Sequence, residues 1–208
     1  MHGNALTNQN GTALAVAIGA RVRHERQARG WTLDQLAEAA GVSRRMVIKI
    51  EQGAVNPSVG ILLRISDALG IGLPALVEPP RPERVLKVTR HGEGAVLWSS
   101  ELGGRGVLVA GTQPPNVVEL WDWTLAPGDR HTSEAHAAGT RELVQVQQGT
   151  IVIRVAGESV VLIAGDAASF PSDVAHSYAN PGTVPARFSL VVFEPGVGAG
   201  TQPEVADA

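Results

Sequence analysis

The chain has 208 residues, 44% hydrophobic and 18% charged, with a formal net charge of −3 and no cysteine. Its length admits one or two domains, and the missing thiols exclude disulfides and thiolate-bound metal, leaving histidines and carboxylates as metal donors. No uninterrupted apolar run reaches about 18 residues, and Met1-His2-Gly3-Asn4 lacks the basic start and apolar core of a secretory leader, so a cytoplasmic protein without a membrane partner is expected.

Charge is unevenly placed. Between Arg21 and Lys49 stand seven basic residues (Arg21, Arg23, Arg26, Arg29, Arg44, Arg45, Lys49) against the acids Glu25, Asp34 and Glu38. From His91 to Gly196 there are five arginines, no lysine and eleven acids. Attraction to phosphate belongs to the first segment. A mere surface asymmetry would look the same, so charge alone names no partner.

Residues 13–77 read as helices. Apolar residues recur at helical spacing through Leu14, Ile18 and Val22, then Leu33, Leu36, Ala37 and Ala40. The pattern resumes at Met46, Val47 and Ile50, and again at Ile61, Leu62, Ile65 and Leu69. Gly30, Gly41, Gly53 and Gly70 mark helix ends, while Thr32 and Ser43 offer side-chain oxygens as N-caps. Five short helices in about 65 residues are enough to bury a small shared core.

Three prolines at 79, 80 and 82 then give a stiff, extended spacer over residues 79–90. Beyond it, short apolar or alternating runs cover 106–110, 117–125, 143–147, 150–155, 159–163 and 187–193, divided by Gly, Pro and Asp turns. That texture predicts an all-β sandwich or barrel over 91–196. The first ten residues and residues 197–208 read as disordered ends.

The stretch GWTLDQLAEAAGVSRRMVIKIEQG, residues 30–53, places two helices across a tight turn at Gly41-Val42. Gly41 supplies the positive φ, Ala37 the close approach, and Val42 and Val47 the packing face. This stretch resembles the Cro/lambda-repressor-like (XRE-type) helix-turn-helix family, and the resemblance extends over residues 17–77. It implies a DNA-binding domain over 13–78 with residues 43–49 as the recognition helix, capped by Ser43. Arg44 and Arg45 would face base edges or flanking phosphates, where a bidentate arginine–guanine contact is worth about 1–3 kcal/mol of discrimination. Thr32, Gln35, Lys49 and Asn56 would lie against the DNA backbone. Arg21, Arg23, Arg26 and Arg29 are equally readable as contacts or as solvated charges. Leu33 and Arg44 replace the glutamines common at the first contacting positions, so no operator sequence carries over.

The segment from Gly165 to Asn180 contains Pro171, His176 and Asn180 at intervals that resemble the second motif of the cupin superfamily, with Asp173 in place of one glycine. The region from Gly128 to Gly149 resembles the first motif with departures: Glu134 replaces its first histidine, and five residues separate His136 from Glu142. Glu134 and His136, two apart, would share one face of a strand. With Glu142 and His176 they would form a set suited to a divalent transition metal: zinc, iron, manganese or nickel. Equally, Glu142 and His176 would make a metal-free hydrogen-bonded pair beside an organic ligand. His131 is either a substitute ligand or exposed. Arg141 and Arg187 would clamp a carboxylate in the pocket or sit on the surface; Tyr178 would line the mouth or pack against a strand. Trp121 and Trp123 face one way, as core or as dimer contact.

The expected architecture is an all-α five-helix domain followed by an all-β cupin (jelly-roll) barrel. The expected function is a non-enzymatic transcriptional regulator, a homodimer on double-stranded DNA whose barrel senses a small-molecule effector. The alternative is a metal-dependent cupin enzyme of dioxygenase or isomerase type carrying a DNA-binding module.

Overall fold

A computed structural model describes residues 3–77 and 86–198, with side chains described from residue 12. Most of the expected spacer, and of the tail all but residues 197 and 198, lie outside the described residues. Five helices come first: α1 (Gly3–Ala28), α2 (Leu33–Ala39), α3 (Arg44–Glu51), α4 (Val59–Ala68) and α5 (Gly72–Val77). Helix α1 starts ahead of residue 13, where the apolar stripe begins. Its early turns carry no periodic pattern, but extending a nucleated helix requires only one more fixed residue per added bond. Thr32 caps α2 in a reciprocal box with Gln35, and Ser43 caps α3 by accepting from the Met46 amide. Gly41 makes the turn between them at φ 60°. Ile18, Val22, Leu36, Val47, Ile50, Leu62, Ile65 and Leu69 form the helical core. No described helix is long and apolar enough to cross a membrane.

Ten strands follow: β1 (Ala95–Ser99), β2 (Arg105–Gly111), β3 (Val117–Leu125), β4 (Arg130–Ser133), β5 (Arg141–Gln148), β6 (Thr150–Val155), β7 (Glu158–Ile163), β8 (Ala167–Pro171), β9 (His176–Ala179) and β10 (Ala186–Glu194). They pair antiparallel into a six-stranded sheet, β1-β2-β3-β10-β5-β8, and a four-stranded sheet, β4-β9-β6-β7. Alternation sorts each strand: in β3, residues 117, 119, 121, 123 and 125 are buried, and in β5, residues 142, 144 and 146. The space between the sheets is filled by Trp121, Trp123, Phe188, Leu190, Val144, Val146, Ile151, Ile153 and Tyr178. The two tryptophans are therefore core.

The helices seat against one end of this barrel. Pro74 of α5 lies against Gly111 of β2, the Gly198 amide donates to Asp67 of α4, and Arg64 of α4 pairs with Glu134 at 3.2 Å.

Candidate functional site

Helix α3, the expected recognition helix, is short, and its two inward residues, Val47 and Ile50, bind it to the helical core. Arg44 and Arg45 at its N-terminus are exposed, and Lys49 is half-buried in its last turn. Arg44 reaches Asp34 of α2 at 3.1 Å, while Arg45 has no ion pair among the described residues. Asn56 is exposed beyond α3. Thr32 and Gln35 spend their side chains on each other's backbone: the Gln35 amide donates to Thr32 Oγ1 at 3.2 Å, and the Thr32 amide donates to Gln35 Oε1 at 2.8 Å. The α1 arginines serve the fold. Arg21 and Arg29 pair with Glu25, Arg29 also donates to the Leu69 carbonyl at the end of α4, and Arg23 and Arg26 reach Glu51.

The second site is a narrow cavity with about 20 Å³ of free space inside, at the end of the barrel that meets the helices. Glu119, Trp121 and Trp123 of β3, Glu142 of β5, His176 and Tyr178 of β9, and Leu190 and Val192 of β10 supply its barrel walls, with His131 of β4 and His136 beside them. Val59 and Leu63 of α4 complete the lining from the DNA-binding side.

His136, Glu142 and His176 meet here, their donor atoms all within 4.8 Å of one another. Each imidazole Nε2 lies 3.2 Å from Glu142 Oε1. Tyr178 donates its hydroxyl to Glu142 Oε2, and the His176 Nδ1–H donates to the Val174 carbonyl at 2.8 Å. That last bond places a proton on His176 Nδ1 and turns Nε2 toward Glu142. Two imidazoles and one carboxylate so arranged fit a divalent transition metal. Burial opposes ionisation of Glu142, yet its contacts with His136 and His176 hold its carboxyl below the usual range. Burial likewise opposes charge on His176, but Glu142 and the Val174 carbonyl outweigh it and raise its pKa.

Glu134 is not brought to this group. Strand β4 ends at Ser133, so the alternation that would align residue 134 with 136 has already stopped. Glu134 is 83% exposed and turned to Arg64. Arg141 also points outward, since its strand neighbour Glu142 points in. Arg187 stands on the outer face and forks onto Asp122, with Nε 2.9 Å from Oδ1 and Nη2 2.8 Å from Oδ2. Neither arginine can clamp a ligand in the interior. Asp173, in place of the motif glycine, accepts the Gly139 amide at 3.0 Å and so ties down the longer loop between His136 and Glu142.

His131 is neither a ligand of the three-residue group nor exposed. It packs edge-on to Trp98 and beside Trp123. Burial first, then the charge of His176 and of His136, pushes its pKa down to about 4. Glu119 has no counterpart among the residues that the sequence singles out. It is 1% exposed, accepts from Trp121 Nε1 at 2.9 Å through Oε2, and has no partner for Oε1. Burial, aided by Glu194 and Glu142 and opposed by the Trp121 bond, raises its pKa well above the usual range. Its only signal in the sequence is its inward place in the alternation of β3, where an acid breaks an apolar face.

Comparison with known proteins agrees with this division. Residues 22–76 match the helix-turn-helix family model and residues 121–193 the cupin-domain model. The chain is 29% identical over 182 residues to the HTH-type transcriptional regulator SutR of Escherichia coli (strain K12), covering 88% of this chain and 97% of that protein. It is 41% identical over 49 residues to an uncharacterized HTH-type transcriptional regulator of Methanothermobacter thermautotrophicus, covering 24% of this chain and 71% of that protein. The crystal structure of an HTH_3 family transcriptional regulator from Vibrio cholerae superimposes with a TM-score of 0.65 at 23% identity, covering 89% of this chain and 99% of that one. At that identity the superposition speaks for the fold. A helix-turn-helix with an exposed basic tip, followed by a jelly-roll barrel, defines a transcriptional regulator. The chain belongs to the XRE-type helix-turn-helix regulators that carry a cupin domain.

Proposed function

We propose that this regulator reads DNA sequence through α3 and senses a small molecule in its barrel cavity. The working units are residues 13–78 for DNA and 91–196 for the effector, joined through 79–90. The observation that carries the sensing role is the position of α4. One helix of the DNA-binding unit lines the cavity through Val59 and Leu63, and the residue after Leu63, Arg64, pairs with Glu134, two residues ahead of His136. A ligand in the cavity therefore touches the DNA-binding unit directly, and it shifts DNA affinity if it binds one placement of α4 better than another.

On DNA, Arg44 and Arg45 read base edges or neighbouring phosphates, with Ser43 holding the start of the helix. Lys49, Asn56 and the α2 start at Thr32 and Gln35 lie along the backbone. A homodimer sets two recognition helices about 34 Å apart on one face of the duplex. In the cavity, His136, Glu142 and His176 would hold a divalent transition metal, which supplies a Lewis-acid anchor for a ligand oxygen or nitrogen. Tyr178 keeps Glu142 aimed, and the Val174 carbonyl does the same for His176. The regulators that the chain resembles favour this reading over a cupin enzyme.

The test pairs two titrations on the full chain. Compounds and metal ions (Zn²⁺, Fe²⁺, Mn²⁺, Ni²⁺) that raise the melting temperature are added to a fluorescent operator selected from random DNA. At least one is expected to change operator Kd by about fivefold or more, within the usual range of allosteric coupling. Arg64→Ala, which cuts the tie from α4 to Glu134 without touching the lining, is expected to keep ligand binding and weaken that change. If every bound ligand leaves operator Kd in place, the sensing role is wrong.

A further inference from the structure

The outer face of the six-stranded sheet carries an apolar patch that remains open to solvent. Val191 of β10 stands in register with Leu120 of β3 on one side and Leu143 of β5 on the other. Phe193, two residues further along β10, stands beside Val118. All five point outward, because their strand neighbours point into the barrel. Leu143 is 50% exposed, Leu120 40% and Val118 37%. Single apolar residues on a surface are ordinary, but five that adjoin across three strands mark a face that something covers.

Beyond the patch the same face turns polar, and its polar side chains already hold one another. Arg187 forks onto Asp122, so the two charges cancel, and Gln147 Nε2 donates to Ser189 Oγ at 2.7 Å. Covering groups that have partners costs far less than covering bare ones. Arg141 stands beside Phe193 at the rim, where its long side chain reaches water. A face that is apolar in one half and neutral in the other repels no copy of itself. Packed sheets keep their strand directions within about 30° of each other. A two-fold axis along β10 then sets Val191 on Val191 and Phe193 on Phe193. Because β3 and β5 flank β10, it also sets Leu120 of each copy against Leu143 of the other. Size agrees with this. Six strands about 4.8 Å apart, averaging about seven residues each, offer about 700 Å², near the roughly 800 Å² that each partner gives to a standard interface.

We propose that this face is the docking surface for a second copy of the chain, packed sheet on sheet about a two-fold axis along β10. The inference rests on the reading of the regulator as a homodimer and names the surface that joins it. Barrel strands alone make the contact, so it uses none of the side chains proposed to touch DNA.

Sedimentation equilibrium of the full chain without DNA tests this. At micromolar concentration the wild type is expected at twice the single-chain mass. Leu143→Glu is expected to weaken the dimer at least tenfold, while Val161→Glu, on the exposed edge strand β7, leaves it intact. Adding Leu120→Lys to Leu143→Glu is expected to recover at least tenfold, since the axis brings those two positions together across the copies. The chain has no cysteine, so Val191→Cys gives a second test that places no charge on the face. A short bismaleimide is expected to couple that variant into covalent dimers and to leave Val161→Cys as single chains. A free wild-type chain of single mass overturns the proposal and leaves the face to residues 199–208 or to an unrelated protein. A dimer that Leu143→Glu leaves unchanged, with Val191→Cys uncoupled, also overturns it but spares the homodimer. Failure of the homodimer reading looks different: a single chain both free and on the operator.

Discussion

Arg26 of α1 forks onto Glu51, the last residue of α3, with Nε 2.6 Å from Oε1 and Nη2 3.0 Å from Oε2. Its Nη1 also donates to the Trp31 carbonyl at 2.8 Å. Both side chains are largely withdrawn from solvent, Arg26 at 12% and Glu51 at 5% exposure. One arginine thereby locks α3 to α1 and to the turn ahead of α2, and this lock holds the basic tip of α3 at a fixed angle.

Arg26→Ala leaves the Glu51 carboxylate with only the looser contact to Arg23, so it is expected to destabilise the chain by about 2 kcal/mol, the cost of losing charge-assisted hydrogen bonds at a buried group. Urea denaturation measures the loss. In a double-mutant cycle, Arg26→Ala with Glu51→Ala is expected to cost clearly less than the two single changes added together. Strict additivity would show that the fork contributes nothing.

Replacing both Arg44 and Arg45 by alanine removes the exposed cations at the start of α3. Operator Kd, followed by fluorescence anisotropy, is expected to rise at least tenfold, in line with about 1–3 kcal/mol for each base contact. The slope of log Kd against log salt is expected to flatten by about one for each phosphate that is no longer neutralised. An unchanged affinity and salt slope would remove α3 from the interface.

Elemental analysis after Zn²⁺ or Mn²⁺ loading distinguishes the four residues that the sequence groups as ligands. His136→Ala, Glu142→Ala and His176→Ala are each expected to lower retained metal to a small fraction of wild type. Glu134→Ala is expected to retain the full amount, because that carboxylate faces Arg64 instead. Loss in Glu134→Ala equal to the others would return it to the ligand set.

Glu194, 5% exposed at the end of β10, has its carboxyl pushed up from 4.5 to about 7 by burial, then by Asp67 and Glu142. The folded chain thus keeps a proton that the unfolded chain releases near 4.5. The resulting stability is complete below 4.5 and is lost as pH rises through 7, at a slope of at most about 1.4 kcal/mol per pH unit. Thermal melts across the range from mildly acidic to mildly alkaline buffer are expected to show a melting temperature that falls, and Glu194→Gln is expected to flatten that fall. An identical pH profile in the variant would show that Glu194 titrates normally.

Much of this molecule is local, and local features are legible in a sequence. The caps at Thr32 and Ser43 act over three residues, and the turn at Gly41 needs only its own φ. The alternation in β3 and β5 is a property of one strand at a time. Four strands, β1, β4, β8 and β9, have no such signature. Those of four or five residues alternate too briefly to be recognised, and β9, with its first three residues all buried, does not alternate at all. His136, Glu142 and His176 are readable as candidates because residue type and spacing survive in them.

What packing alone decided is which side chains share a space. Strand β4 stopping at Ser133 sent Glu134 outward, and the pleat of β5 and β10 turned Arg141 and Arg187 to the outer face. Seating α4 over the barrel brought Val59 and Leu63 into a cavity whose other walls lie far along the chain, beside Glu119 and its bare oxygen. Spacing along one element is set by backbone geometry and repeats in the letters. Contact between elements depends on how two finished surfaces dock, and no run of neighbouring residues encodes it.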